Sequence, residues 1–233
     1  MPADEAIILA GGRGTRLQPL VSDVPKPLAP VAGRPFLAWV LDHLAANGIR
    51  RVILATGYLS EMVELAVGRA WQSMSIDYSV ENDALGTGGA VRQASRKLLG
   101  DTAHVLNGDT YLRYSPLALA AAVADSDAAI GVALAAVDNV SRYGAVDWVD
   151  GRIVGFREKH GSGPGYINAG CYFLTTAAIA ALPDLHAYSL ETEVLAPMTA
   201  QGRVLAYTQT EGFIDIGVPE DYRRAQDVFG KTG

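Results

Sequence analysis

Residues 6–20 read "AIILAGGRGTRLQPL", a short apolar run that passes directly into three glycines, two arginines and a threonine. A run of this length and composition reads as a buried strand. Bare backbone and positive charge at its carboxyl end suit a phosphate-bearing ligand, because a parallel sheet binds ligands at the carboxyl ends of its strands. Four further runs support such a sheet: "RVILAT" at 51–56, "IDYSV" at 76–80, "AHVLN" at 103–107 and "AAIGVALAAV" at 128–137. Helical patterns alternate with them. In "PFLAWVLDHLAANG" the residues Phe36, Leu37, Val40, Leu41 and Leu44 recur at helical spacing, and Gly48 ends the helix. "SEMVELAVG", with Ser60 as N-cap, "GAVRQASRKLL" and "SPLALAAAVAD" follow between the later strands. Strand–helix alternation predicts an α/β, Rossmann-like fold: a mostly parallel central sheet with helices on both faces.

The rhythm changes from about residue 140. "YGAVDWVDGRIVGFREK" predicts a hairpin turned at Asp150-Gly151, "YINAGCYFLT" another strand, and "SLETEVLAPMTA" and "PEDYRRAQDVF" helices. No linker or repeat interrupts the chain, so a single domain over 1–233 is expected, with 1–140 mainly serving a nucleotide and 141–233 its second substrate.

Composition narrows the function classes. The 233 residues are 49% hydrophobic with a net charge of −6, which suits one substantial core and excludes a broad nucleic-acid footprint. Cys171, the single cysteine, has no partner for an internal disulfide and reads as packing. The acidic opening Met-Pro-Ala-Asp-Glu is unlike a secretory signal, and the longest apolar runs are too short for a membrane span. The expectation is a soluble, cytoplasmic protein with no membrane partner.

In the opening loop, Gly11, Gly12 and Gly14 let backbone N–H groups approach a triphosphate, and Arg13 and Arg16 add charge-assisted hydrogen bonds to its oxygens. A dinucleotide fingerprint would need Gly or Ala where Leu17 stands, and a P-loop would need Gly-Lys-Ser/Thr. Neither is present. Downstream, Lys26 lies between Pro25 and Pro27 on what should be a stiff, extended backbone that fixes where its ammonium points.

"LAGGRGTRLQPL" followed by "VPKPLAPVAGRP" resembles the signature of the sugar-1-phosphate nucleotidylyltransferases. The resemblance continues through "ENDALGTGGAV", "VLNGDTYL", "RYGAV", "EK" at 158–159, "INAG", "SLE" and "FIDIGVPEDY". Within the family, the chain most resembles the D-glycero-α-D-manno-heptose 1-phosphate guanylyltransferases. The resemblance implies the nucleotide-diphospho-sugar transferase fold, which is similar to GT-A. It also implies GTP and a sugar 1-phosphate as partners and Mg²⁺ as cofactor.

By that resemblance, nucleotide contacts fall on Leu9, Ala10, Gly11, Gly12, Arg13, Gly14, Thr15, Arg16, Lys26, Glu81, Leu85, Gly86, Thr87, Gly88 and Asp109. Glu81 would accept hydrogen bonds from guanine N1 and N2, while Gly86 and Gly88 would permit main-chain approach to the base. Arg16, Lys26 and Asp109 are the catalytic candidates. Asp109 ends the apolar run "AHVLNGD" at a strand's carboxyl end. Asp215 lies between Ile214 and Ile216, where burial without a partner would be costly, and the two aspartates form the expected Mg²⁺ pair. Lys159 is the expected cation for the sugar phosphate. Glu158, Glu191, Asn168, Gly170 and Gly144 match positions that meet sugar hydroxyls.

A phosphate monoester has a second pKa of about 6, so its oxygen is already ionised at neutral pH and no general base is required. Accordingly His43, His104, His160 and His186 are expected to be structural or surface residues. Two readings stay open at this level: a uridylyl- or thymidylyltransferase acting on a hexose or amino-sugar 1-phosphate, and an inactive nucleotide-sugar-binding regulator. The chain reaches Gly233 without a hexapeptide-repeat segment, so no appended acyltransferase is expected.

Overall fold

Along β1 (Glu5–Leu9) successive side chains leave opposite faces of the strand, and both faces are dry: Ile7 and Ile8 are each fully buried, in different core clusters. A strand buried on both faces belongs at the centre of a sheet covered by helices. The computed structural model describes residues 3–12, 17, 21, 24–157 and 161–231. Its first half contains β2 (Pro30–Val31), β3 (Arg34–Pro35), α1 (Phe36–Ala46), β4 (Arg51–Thr56), α2 (Ser60–Val67), β5 (Ala70–Trp71), β6 (Met74–Val80), α3 (Gly86–Ser95) and β7 (Ala103–Asn107). There follow β8 (Thr110–Arg113), α4 (Pro116–Ala124), β9 (Ile130–Val137), β10 (Ala145–Val149), β11 (Arg152–Arg157) and β12 (Gly165–Leu174). The last part holds α5 (Thr176–Ala180), α6 (Ala196–Ala200), β13 (Val204–Tyr207), β14 (Glu211–Asp215) and α7 (Pro219–Gly230).

Among the described residues ten strands form one sheet in the order β10-β11-β13-β9-β12-β7-β1-β4-β6-β5. The pairings set β1, β4, β6, β7, β9, β10 and β13 running one way and β5, β11 and β12 the other. The predicted mostly parallel sheet is therefore present, with β12 inserted antiparallel between β7 and β9. Helices cover both faces. Phe36, Leu41, Val63, Leu119 and Phe229 of α1, α2, α4 and α7 pack on the face of Ile8 and Leu54, and Val91, Ala178 and Met198 of α3, α5 and α6 pack on the face of Ile7 and Ile53. Each fully buried aliphatic side chain contributes roughly 1.5–3 kcal/mol. No described helix is long and apolar enough to cross a membrane.

The predicted strands and helices recur, with informative shifts. Ser60 is the first helical residue of α2 rather than its cap, because Leu59 ahead of it takes a left-handed conformation, φ +56°, and provides no side-chain acceptor. α3 begins at Gly86, so "GTG" forms its first turn, and it closes at Ser95. The segment "SLETEVLAPMTA" is helical but starts as a π-turn over Glu191–Leu195, closed by the Ala196 N–H on the Glu191 carbonyl; the wider turn accommodates Pro197, which has no N–H to give. The hairpin turns as predicted, with Asp150 and Gly151 both at positive φ.

Chain order places the site. From β1 the chain adds β4 and then β6 on one side, after which β7 joins β1 on the other. The order thus reverses between β1 and β7, and a sheet opens a crevice at such a point, at the carboxyl ends of the strands.

Candidate active site

A cleft of about 460 Å³ opens there. Leu9, Ala10, Gly11 and Gly12 follow β1 into its wall, Asn107 and Asp109 follow β7, and Lys26, Glu81, Gly86, Thr87 and Gly217 complete it with Pro27, Ala84 and Ala90. Close approach of the backbones decides some of these residues. Gly108 donates its N–H to the Leu9 carbonyl at 2.8 Å, and a Cβ on it would stand 2.7 Å from the same oxygen. A Cβ on Gly11 would stand 2.9 Å from a Glu81 carboxylate oxygen.

Lys26 is brought to Asp109, and the two form an ion pair in which the lysine side chain is 9% exposed. The extended residue is Pro25, whereas Lys26 opens a short 3₁₀ turn, Lys26–Leu28, so the expectation of an extended backbone at the lysine is corrected by one residue. Proline's fixed φ still braces the turn on either side.

Asp215 reaches the same place by a separate route. β8, which follows Asp109, pairs antiparallel with β14, so that Asp215 faces Thr110 and the Ile216 N–H donates to the Asp109 carbonyl at 3.0 Å. Asp215 takes the Gly217 N–H on its carboxylate at 2.6 Å. Burial raises its pKa above the usual carboxylate range, and the Asp109 charge raises it further, against the opposing pull of Lys26 and of the Gly217 hydrogen bond. Two carboxylates that share the charge of one lysine, paired with Asp109, form an anionic corner that a cation would relieve.

Glu81 continues from β6, its N–H on the Thr56 carbonyl at 2.7 Å and its carboxylate taking the Leu85 N–H at 3.3 Å. Burial raises its pKa, the Leu85 hydrogen bond working the other way. No ion pair is formed by Glu81 among the described residues, which leaves an acceptor facing the cleft.

The "LGTGG" segment corrects an expectation. Gly86 and Thr87 line the cleft, but Leu85 and Gly88 do not. The Leu85 carbonyl takes the Tyr188 N–H at 2.9 Å, the Gly88 N–H donates to the Tyr188 carbonyl at 2.9 Å, and the Tyr188 ring covers Gly88 so closely that a Cβ would overlap it. These groups are occupied by the fold. The absence of a side chain at Gly88 admits Tyr188.

Of the residues expected to meet a sugar, Gly144, Asn168, Gly170 and Glu191 do not line this cleft. Glu191, Asn168 and Gly170 belong to a chain of hydrogen bonds that leads away from it. Glu191 takes the Thr87 hydroxyl at 2.8 Å and the Ser189 hydroxyl at 2.8 Å on one oxygen, and the Tyr172 hydroxyl at 3.3 Å on the other. Asn168 donates to Tyr172 at 3.0 Å and accepts the Gly170 N–H at 3.0 Å. Gly170, at φ +67°, leaves room for the Asn107 amide, which a Cβ would overlap. Gly144, at φ +80°, is buried and closes a turn onto the Val140 carbonyl. Arg13, Gly14, Thr15, Arg16, Glu158 and Lys159 lie outside the described residues, as does His160.

Sequence reasoning missed Asn107, Tyr172 and Asp221. Asn107 stands one residue before Gly-Asp at a strand's end, a signal that was legible. Asp221, only 4% exposed, takes the Arg142 guanidinium (2.6 Å) and the Tyr143 hydroxyl (3.1 Å), which ties the turn before Gly144 to the start of α7. No local pattern announced that pairing. Of the histidines, His104 is fully buried, His43 packs against Tyr111 and Tyr114, and His186 is exposed; none of the three lines the cleft.

The model of the nucleotidyl transferase family matches residues 5–231. The chain belongs to the nucleotidyl transferase family. It is 38% identical over 222 residues to D-glycero-α-D-manno-heptose 1-phosphate guanylyltransferase of Aneurinibacillus thermoaerophilus, covering 95% of this chain and 96% of that one. The enzyme of the same name from Campylobacter jejuni is 37% identical over 222 residues, with 94% and 96% covered. Among solved structures, HddC from Yersinia pseudotuberculosis complexed with GMP-PN superposes with a TM-score of 0.85 at 35% identity, over 97% of this chain and 99% of that one. The fold expected of the family is thus the fold observed, and this nucleotidyl transferase is nearly coextensive with those relatives.

Proposed function

We propose that this nucleotidyl transferase transfers a guanylyl group from GTP to D-glycero-α-D-manno-heptose 1-phosphate, giving GDP-heptose and pyrophosphate for surface polysaccharide synthesis in the cytoplasm. The observation that carries the chemistry is the corner where Lys26, Asp109 and Asp215 converge beside a cleft at the reversal of strand order. Heptose and guanine as the specific substrates rest on the two relatives that cover the chain almost completely.

An ionised oxygen of the sugar 1-phosphate attacks the α-phosphorus of GTP in line. The new P–O bond forms as the bond to the β,γ-diphosphate breaks, and pyrophosphate leaves with the electron pair. No proton needs to be removed at neutral pH, so the residues position and neutralise. Lys26 meets the triphosphate from its braced turn, with Arg13 and Arg16 of the glycine loop. Glu81 accepts from guanine N1 and N2, and Lys159 holds the attacking phosphate.

The residues fit Mg²⁺, which typically takes one or two protein carboxylates and completes its shell with water and substrate phosphates. Asp109 and Asp215 supply that pair, and among the described residues no cluster of three or more His, Cys, Asp or Glu side chains forms an all-protein cage. Bound there, the ion would neutralise charge on the reacting phosphates. In this reading 1–140 serve mainly the nucleotide and 141–233 mainly the sugar phosphate, with Asp215 crossing from the second part into the first.

Pyrophosphate release with Mg²⁺ across four NTPs and a panel of sugar 1-phosphates, with product masses determined, tests the proposal. Turnover confined to GTP and the heptose phosphate is expected. Turnover only with UTP or dTTP and a hexose phosphate would overturn the substrates and keep the chemistry; nucleotide binding with no turnover anywhere would overturn both.

A further inference from the structure

Thr87 lies in the wall of the cleft, in the first turn of α3, where a hydroxyl is ordinarily read as a phosphate ligand. Its hydrogen bonds say otherwise. A threonine hydroxyl has one proton to donate and two lone pairs to accept with. The Thr87 proton goes to Glu191 at 2.8 Å, and one lone pair takes the Leu190 N–H at 2.8 Å. What remains is a single acceptor, which an ionised phosphate cannot use. The hydroxyl points away from the nucleotide toward the carboxylate that heads the hydrogen-bonded chain from Glu191 through Tyr172 to Asn168.

The surroundings fix the direction of this bond. Tyr188 clamps the same turn of α3 through both of its backbone groups and its ring, so the 188–191 segment and the 85–88 segment form one unit. Within it, the Thr87 and Ser189 hydroxyls saturate one Glu191 oxygen, and among the described residues the other takes only the longer bond from Tyr172. That second oxygen is therefore the one left to accept a ligand hydroxyl, and the Thr87 bond holds it in place.

We infer that Thr87 is a positioning residue for the sugar phosphate and not a nucleotide contact: through its hydroxyl, the helix that borders the nucleotide cleft sets the Glu191 carboxylate for a polyol hydroxyl. The inference rests on the nucleotidyl-transfer reading, and it carries a consequence. A ligand that orders the first turn of α3 orders Glu191 as well, so the two substrates bind with positive coupling, each tightening the other by the same factor.

Thr87→Val, of nearly equal volume, removes the bond, and Thr87→Ser restores it. With GTP and the heptose 1-phosphate, Thr87→Val should raise the KM of the sugar phosphate about tenfold, since a hydrogen bond to a charged group is lost, and leave the Kd of GTP, measured without the sugar phosphate, within about twofold. Thr87→Ser should recover the wild-type value, which a merely structural role for the side chain would not require. In Thr87→Val a non-hydrolysable GTP analogue should cease to tighten binding of the sugar phosphate. A GTP Kd, measured without the sugar phosphate, that rises as much as the sugar-phosphate KM would overturn the inference. Amide hydrogen exchange at Leu190 provides a readout independent of turnover: faster exchange in Thr87→Val is expected, and unchanged protection would overturn the tie. Inactivity of the wild type with every substrate pair would instead strike the functional reading and leave the exchange experiment able to judge this one.

Discussion

The cleft itself is walled largely by backbone that follows β1 and opens α3; beyond Thr87, outside the cleft, β12 and the 188–191 segment present side chains to one another. The first is built by removing atoms. Gly11 and Gly108 have no side chain because Glu81 and the Leu9 carbonyl occupy the space, and the polar groups left over are a few charges set on braced backbone. The second is built by filling valences, with hydroxyls and amides satisfying one another around a single carboxylate. A rigid, parallel, doubly covered half suits a ligand whose triphosphate is always the same. A network of exchangeable hydroxyls suits a ligand distinguished by the orientation of its own.

The largest expected effect breaks the comparison where the two sides join, at the β8–β14 ribbon. Replacing Asp215 with Asn keeps the strand and removes the charge, and should cost about 4 kcal/mol of transition-state stabilisation if the pair holds Mg²⁺. Steady-state kcat/KM over a Mg²⁺ titration checks it, and near-normal turnover at any Mg²⁺ concentration would remove Asp215 from the metal site.

A somewhat smaller effect lies on the seam between β7 and β12, where His104 stacks against Phe173 with ring centroids 4.9 Å apart. Burial lowers the His104 pKa to about 4, partly offset by its bond to the Ala3 carbonyl. The unfolded chain, with a histidine pKa of about 6.5, therefore takes up a proton that the folded chain refuses. Stability is fully present above pH 6.5 and falls as the pH drops toward 4, by about 3 kcal/mol at pH 4 from this group alone. Denaturant titrations at pH 7, 5.5 and 4 should show His104→Gln losing less stability over this range than the wild type; parallel curves would show that the group does not govern the acid limb.

The smallest effect sharpens the comparison on the nucleotide side. Glu81→Gln exchanges an acceptor for a group that can also donate, and should weaken GTP by about tenfold while narrowing its advantage over UTP and dTTP. Competition among the NTPs measures it, and an unchanged preference would assign base reading elsewhere.

The same division explains what was legible in the sequence. The parallel half announces itself, because a strand buried on both faces is a continuous apolar run and needs no partner to be recognised: "AIILA", "RVILAT" and "AHVLN" fall within a residue or two of β1, β4 and β7. The ribbon of β8 and β14 does not. Its strands are short, half-polar and separated by about a hundred residues, so their pairing is a tertiary fact with no local signal. Asp109 and Asp215 are paired in the sequence by the family resemblance alone, since neither neighbourhood carries a signal of their meeting. Thr87 shows the opposite case: its motif points to the nucleotide, and the partner of its hydroxyl, Glu191, lies far along the chain with no local signal.

The β8–β14 ribbon also sets the order of events when the chain is made. The parallel strands β1, β4, β6 and β7 have all left the ribosome by the time Asn107 emerges, whereas β12 and β9, which continue the sheet beyond β7, follow later. The second carboxylate arrives only with β14. On the proposed assignment of Asp215 to the Mg²⁺ pair, every intermediate length that lacks β14 has the parallel strands of the cleft but not the second carboxylate.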